Sequence, residues 1–457
     1  MYERSRTEMA VVPAEERKND FRPFMPGYTR QEAVAEASRC FNCVNARCRK
    51  ACPVHNEIPY IMEAVAKEDF ALAYQYLCEN TVLPAICGTV CPHEDQCEGG
   101  CIHGIGGEAV AIGSVERFVA EWAEKEGLTK DGRPRPNGKT AVCVGAGPAS
   151  ISCAEVLAKN GWKVTILEKE DFFGGVLTWG IPSYRLDRAA IQAKKDLLES
   201  LGVEIRYGQK ITDLSSLRKS YDAVFLGVGA PISNAMNIPG EDIPGVYAAS
   251  EYLSSINLAP MDEQGRRHFD GSGKRVLVAG GGNVAMDAAR DAIRLPQTEK
   301  VYIVYRRTEA EMPACEAELE DAKEEGVEFL TLRNPVEFVA GEDGRLCKAI
   351  CAVMKLGEPD DSGRRRPVET EERVVLDVDT AVLALGFSND PSIARANDGL
   401  EADKWGCFTV DENFRTSYGN VYAGGDAQSG ASTVVRAMKA GIAAARNMEY
   451  RRIIGEL

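Results

Sequence analysis

Two short glycine motifs constrain the fold of this 457-residue chain more than any other feature: Gly145-Ala-Gly-Pro-Ala-Ser150 and Gly280-Gly-Gly-Asn-Val-Ala285. Each stands between a short apolar run and a helix-forming run, the context in which a Gly-x-Gly-x-x-Gly turn cradles a dinucleotide. Gly145 permits the tight turn, and Gly147 lets backbone approach a pyrophosphate resting on a helix N-terminus. The spacing predicts a strand over 139–144, a helix to Asn160 and a strand over 163–167 that ends at Glu168. It then predicts a second copy: a strand over 276–279, a helix to Leu295 and a strand over 301–305 that ends at Arg306-Arg307. Strands alternating with helices predict parallel α/β architecture with two Rossmann-like domains. Ser150 replaces the usual Gly or Ala of the motif, which predicts slightly looser helix–strand packing there.

The ends of the second strands separate the ligands. An acid at position 168 accepts hydrogen bonds from an unphosphorylated ribose, as FAD or NAD carries. The guanidinium pair Arg306-Arg307 suits a 2′-phosphate and favours NADP(H) over NAD(H), the bland alternative being a solvated basic turn. Near the C-terminus, Val421-Tyr-Ala-Gly-Gly-Asp426 reads as a strand ending beside a ribityl or phosphate group, followed by a helix whose start, near Ser432 and Thr433, would face a flavin. Strands over Ala223–Gly229 and Thr380–Gly386 also end in glycine. The second unit is therefore expected as an insertion, with FAD-binding segments 139–250 and 372–457 around an NADP(H)-binding segment 251–371. The FAD candidates are Gly145, Gly147, Pro148, Ala149, Glu168, Lys169, Gly175, Val176, Gly425, Asp426, Ser432, Thr433 and Val434. The NADP candidates are Gly281, Gly282, Asn283, Val284, Arg306, Arg307, Leu385 and Gly386.

Residues 1–130 read as a helical domain, with helical apolar spacing over Glu68–Glu79 and Gly113–Lys125. A polar linker, Lys130–Gly138, follows. Eight of the 15 cysteines make up two motifs in this domain, Cys40-x2-Cys43-x4-Cys48-x3-Cys52-Pro53 and Cys87-x3-Cys91-Pro92-x4-Cys97-x3-Cys101. Close thiolate spacing with Cys-Pro steps suits iron–sulfur clusters and one-electron transfer. Zinc is the alternative, since His55, His93 and His103 lie in the same region. The other seven cysteines read as small buried apolar residues. No Cys-x-x-Cys pair serves a dithiol relay in the flavin region, and hydride transfer between cofactors needs no side-chain acid or base, so no catalytic side chain is assigned.

A net charge of −15 argues against nucleic acid or anionic membrane as partner. The first 20 residues lack an apolar core and so show no secretory signal, and the weakly polar run Ala141–Ala158 is interrupted by Gly, Pro and Glu155, which reads as strand, turn and helix rather than a membrane span. Many cysteines without an export signal suggest a reducing, cytoplasmic setting.

Gly27-Tyr-Thr29, Cys52-Pro-Val-His55, Leu83-Pro84, Cys87-Gly88, Cys97-Glu-Gly-Gly-Cys101, Ile112-Gly113, Glu116-Arg-Phe118, Gly280-Gly-Gly-Asn-Val-Ala-Met-Asp287 and Tyr305-Arg-Arg307 together carry a resemblance. The chain resembles the small (beta) subunit of bacterial glutamate synthase. It is also similar to the large subunit of NADH-dependent ferredoxin:NADP oxidoreductase and to the N-terminal part of dihydropyrimidine dehydrogenase. The resemblance implies two interleaved [4Fe–4S] clusters, one held by Cys40, Cys43, Cys48 and Cys101, the other by Cys52, Cys91, Cys97 and Glu116. Cys87 is left out, and Arg185 matches a family arginine near FAD. It further implies NADPH oxidation through FAD and the clusters to a protein partner in a hetero-oligomer: a glutamate synthase large subunit, a small flavoprotein with an iron–sulfur centre, or ferredoxin. In the ferredoxin:NADP oxidoreductase group the flavin bifurcates electron pairs. From a different class, the chain reads as a stand-alone NADPH diaphorase whose cysteine domain is a docking module.

Overall fold

The structure, a computed structural model, describes residues 5–129, 132–360 and 363–457. The linker expected from Lys130 begins at two residues outside that set, and its described part, 132–138, has no helix or strand.

Helices Arg30–Ser38, Ile58–Ala66, Phe70–Cys78, Pro84–Val90 and Ile112–Lys125 make up the N-terminal unit. Local chemistry sets their starts. Thr29 and Glu32 form a capping box, Asp69 accepts from the Leu72 N–H at 3.1 Å, and Pro84 occupies a first turn that needs no N–H there. Ile61, Met62, Val65, Phe70, Leu77, Val115 and Val119 then bury their apolar faces in one core. The two helices expected over 68–79 and 113–125 are both present.

A five-stranded parallel sheet follows, built from β1 (Thr140–Val144), β2 (Lys163–Leu167), β3 (Glu204–Arg206), β4 (Ala223–Leu226) and β15 (Val421–Ala423), in the order β15-β4-β1-β2-β3. The second parallel sheet takes β6 (Val246–Ala248), β7 (Arg275–Ala279), β8 (Lys300–Tyr305), β9 (Glu328–Thr331) and β13 (Thr380–Leu383), in the order β6-β13-β7-β8-β9. Strand pairing thus corrects the expected boundaries at 250/251 and 371/372. Val246–Ala248 and Thr380–Leu383 belong to the inserted unit, where β13 pairs with both β6 and β7. Apolar strands carry no mark of which parallel sheet they will join, so the sequence alone does not place the crossing points. The chain actually crosses where β5 (Ile232–Ser233) pairs antiparallel with β14 (Phe387–Ser388).

An antiparallel sheet of β10 (Arg333–Ala340), β11 (Leu346–Pro359) and β12 (Arg365–Asp377) was not anticipated. Phe338, Leu346, Ala349 and Cys351 pack it onto one face of the second parallel sheet, against Leu277, Val304 and Leu383. The opposite face holds the Ala249–Asn257 and Asn283–Ile293 helices together with Phe21 and Phe24 from the chain's N-terminal segment. Arg17, Phe21 and Phe24 of that segment lie against the second nucleotide unit, whereas Arg6 and Thr7 bond to the helical domain at Ala109 and Glu36.

Candidate functional site

The cysteine loops come first. Cys40, Cys43, Cys48 and Cys101 line one cavity, walled by Phe41, Ile58, Met62 and Ile112. The two quartets can interleave because Gly100 brings its loop against the other; a Cβ there would lie 2.9 Å from the Arg47 carbonyl oxygen. Burial, then the neighbouring Cys40, Cys101 and Cys43, push the Cys48 thiol up to about 12, and Cys40 moves the same way through burial, Cys101 and Cys43. Thiols that resist ionising together are stabilised as thiolates by a multivalent cationic centre.

Cys52, Cys91, Cys97 and Glu116 form a second group. Burial and the nearby Glu116 and Cys91 raise Cys52 to about 11; Cys97 is raised by burial, Glu116 and Cys52. Burial pushes the Glu116 carboxyl itself up to about 7, although the Asn56 amide donates to its Oε1 at 3.2 Å. All cysteines among the described residues are free. No three His, Cys, Asp or Glu side chains among the described residues converge as a single-ion site requires. Four cysteines around one cavity are a donor set that suits an iron–sulfur centre.

The flavin-side residues gather at the C-terminal edge of the first sheet. Gly147 caps the Pro148–Lys159 helix, and a Cβ built on it would meet nothing within 4 Å, so the space over that helix N-terminus is open. Two further turns close in on it: Gly175 (φ 55°), whose Cβ would lie 3.1 Å from the Gly147 Cα, and Gly425 (φ 67°), whose Cβ would lie 2.8 Å from the Ala149 Cβ. Glu168 is buried and accepts from the Ala146 N–H at 2.6 Å and the Glu170 N–H at 2.9 Å. Asp426 Oδ1 and Thr433 Oγ1 are buried with no hydrogen-bond partner, and burial pushes Asp426 up to about 6. Orphaned acceptors beside an open helix N-terminus fit a hydroxyl- and phosphate-bearing cofactor such as FAD. Ser432 and Val434 flank Thr433 at the start of the Val434–Ile453 helix. Val176 begins the short Val176–Trp179 helix, and Lys169 lies exposed, 3.2 Å from Glu170. The looser packing expected at Ser150 is not seen. Ser150 is fully buried and Gly227 makes room for it, since a Cβ there would lie 2.2 Å from the Ser150 Oγ.

The second glycine turn is equally tight: a Cβ on Gly280 would lie 2.4 Å from the Ala384 oxygen, and one on Gly281 would strike the Tyr305 ring at 2.7 Å. Gly282 caps the Asn283–Ile293 helix, which also carries Val284. Leu385 and Gly386 stand on the crossover, bonded through their carbonyls to Asn234. Three further candidates have protein partners of their own. Arg307 is buried, not half of a free guanidinium pair; its Nε donates to the Arg365 carbonyl at 2.7 Å and its Nη2 to Asp360 at 3.0 Å, leaving Arg306 exposed. Asn283 turns its amide onto Cys315, accepting from that N–H at 2.9 Å. Arg185 spans to the second unit, where its Nη1 meets Asp287 at 2.6 Å and its Nε meets Glu318 at 2.8 Å.

Residues 17–128 match the family described as dihydropyrimidine dehydrogenase domain II, 4Fe-4S cluster, and residues 122–441 match pyridine nucleotide-disulphide oxidoreductase. The glutamate synthase (NADPH) small chain of Halomonas elongata is 37% identical over 93% of this chain and 92% of its own length. The chain belongs to the glutamate synthase small-chain family. As such it is an FAD-dependent NADPH oxidoreductase with an iron–sulfur domain. The family's sequence pattern extends to other enzymes: the NADP(+)-dependent formate dehydrogenase subunit beta of Moorella thermoacetica is 39% identical over 89% of this chain and 60% of its own length. The structure of Mycobacterium tuberculosis FprA in complex with NADPH shares the fold, with a TM-score of 0.57 over 70% of this chain and 86% of that one at 21% identity. Among the described residues no helix is long and apolar enough to cross a membrane.

Sequence reasoning missed a set of buried charges around the second unit: Arg17, Arg290, Arg294, Asp291 and Glu325. Arg17 and Glu325 are too far apart in sequence for any local pattern to signal their pairing.

Proposed function

We propose that this chain oxidises NADPH at the inserted unit and passes the electrons, through FAD in the first unit and two [4Fe–4S] clusters, to a partner protein. When bound, the cofactors supply hydride transfer from nicotinamide to flavin and single-electron transfer onward. The chain's own groups position them. The Pro148–Lys159 helix N-terminus and Glu168 hold the dinucleotide, Asp426 and Thr433 offer partners to the flavin's polar atoms, and Arg306 offers a guanidinium to a 2′-phosphate. Cys40, Cys43, Cys48 and Cys101 would hold one cluster; Cys52, Cys91, Cys97 and Glu116 the other.

One observation carries this reading. The helix Pro84–Val90, which leads into Cys91, is packed into the same core as the flavin-side helices, Leu83, Ile86 and Cys87 lying with Ala149, Cys153 and Met438. The cluster-bearing loops are thereby fixed against the cofactor edge of the first sheet. A module built only for docking would not require that shared core.

Anaerobic reconstitution followed by iron, sulfide and flavin analysis tests the proposal. About eight irons with matching sulfide (two four-iron centres) and one FAD per chain are expected. Zinc in place of iron, or no flavin, would overturn it. The partner we favour is a second redox subunit, of the glutamate synthase large-subunit kind or of the small flavoprotein kind, where electron pairs are bifurcated. Affinity capture from the native host followed by mass spectrometry separates the two.

A further inference from the structure

Cys87 is a cysteine of the N-terminal motif for which the cluster assignment above has no use, yet it stands in its middle. It is buried, and the Cys91 N–H donates to its carbonyl at 3.2 Å, so the two thiols follow one another up the same helical face. The two thiols are side-chain hydrogen-bond partners. On its other side the Cys87 Sγ lies 4.0 Å from the Sδ of Met438. Met438 is fully buried on the Val434–Ile453 helix, in the turn after Thr433 with its orphaned hydroxyl. Cys91, Cys87 and Met438 therefore form a continuous row of sulfur from the second cysteine group to the flavin-side helix.

We propose that Cys87 is a positioning residue rather than a cluster ligand: its S–H donates to the Cys91 sulfur when that sulfur is an iron-bound thiolate, and thereby sets the reduction potential of the cluster nearer the flavin. This rests on the cluster assignment proposed above. A metal-bound Cys91 carries no proton and can only accept, so the Cys87 proton is the one available to the pair. A thiolate is also a stronger acceptor than the Met438 thioether, which directs the proton toward Cys91. Hydrogen bonds to cluster sulfurs favour the more negative, reduced state and so raise the potential. Packing against Met438 in the same buried core holds the donor in place.

The test compares the reconstituted full-length protein with its Cys87→Ala, Cys87→Val, Cys87→Ser and Met438→Leu variants by iron analysis and by a redox titration followed by electron paramagnetic resonance. Alanine and valine are expected to retain the full iron content while the midpoint of one cluster moves to lower potential. Serine, which keeps a donor, is expected to return it toward the native value, and Met438→Leu, which keeps the volume, to leave it in place. Valine covers the case in which the alanine cavity prevents folding. Loss of about half the iron in Cys87→Ala or Cys87→Val would make Cys87 a ligand and overturn the inference. An unshifted midpoint, or an equal shift in Met438→Leu, would overturn it too. Native protein that takes up no iron defeats the cluster assignment itself, an outcome separate from all of these.

Discussion

Arg185 clasps Asp287 across the junction of the two nucleotide units, its Nη1 lying 2.6 Å and 2.8 Å from the two carboxylate oxygens. Arg185 follows the first unit's glycine-rich segment, and Asp287 sits on the Asn283–Ile293 helix of the second unit. Both are nearly buried, so the pair does more than a surface ion pair could. On the proposed function, hydride transfer needs the two bound cofactors in register, and this contact is expected to contribute to that register. Arg185→Met leaves Asp287 without its ion-pair partner, while Glu318 keeps Arg290. It is expected to lower stability by about 3–5 kcal/mol in urea denaturation and to slow flavin reduction by NADPH in stopped-flow mixing.

The N-terminal segment is expected to be structural. Arg17 is buried beside Glu325, with its Nε 2.9 Å from the carboxylate, and it also reaches Asp321 at 2.8 Å. Glu325 is shared with Arg290 and Arg294. Arg17→Met should destabilise by about 3–5 kcal/mol and make the inserted unit the first region to lose protection in hydrogen exchange. An unchanged exchange pattern there would contradict this.

Asp291 gives a pH dependence. Burial, reinforced by the like charge of Asp287, pushes its carboxyl up to about 8, despite Arg294, Arg267 and Arg188. In the unfolded chain it titrates near the usual value of about 3.9. Between those values the folded state holds a proton that the unfolded state has released, so stability falls as pH rises through that window. The drop is at most about 1.4 kcal/mol per pH unit. Asp291→Asn removes it, so denaturation curves of the variant and the wild type should diverge steadily from pH 5 to pH 8, with the variant more stable.

Coenzyme choice is expected to depend on Arg306 and not on Arg307. Arg306 is exposed at the end of β8, while Arg307 is occupied by Asp360 and the Arg365 carbonyl. Arg306→Ala should raise KM for NADPH roughly 10- to 150-fold (about 1.5–3 kcal/mol for a hydrogen bond to a charged group) and leave NADH unaffected. Arg307→Ala should instead show its main effect in the melting temperature.

The local pattern of the sequence determined the two Rossmann-like units. Gly145 and Gly280, each between an apolar strand and a helix, carry their instructions within a few residues, and β1, β2, β7 and β8 lie close to where that pattern sets them. The cysteine spacing likewise determined the kind of chemistry. Only the tertiary structure decided which sheet Thr380–Leu383 joins, that Arg307 is held by Asp360, that Arg185 reaches Asp287 and that Arg17 closes on Glu325. The physical reason is range. Backbone geometry and hydrophobic periodicity act between neighbours, whereas a buried charge takes as its partner whichever opposite charge the folded chain brings within reach, and that partner leaves no mark in the residues beside it.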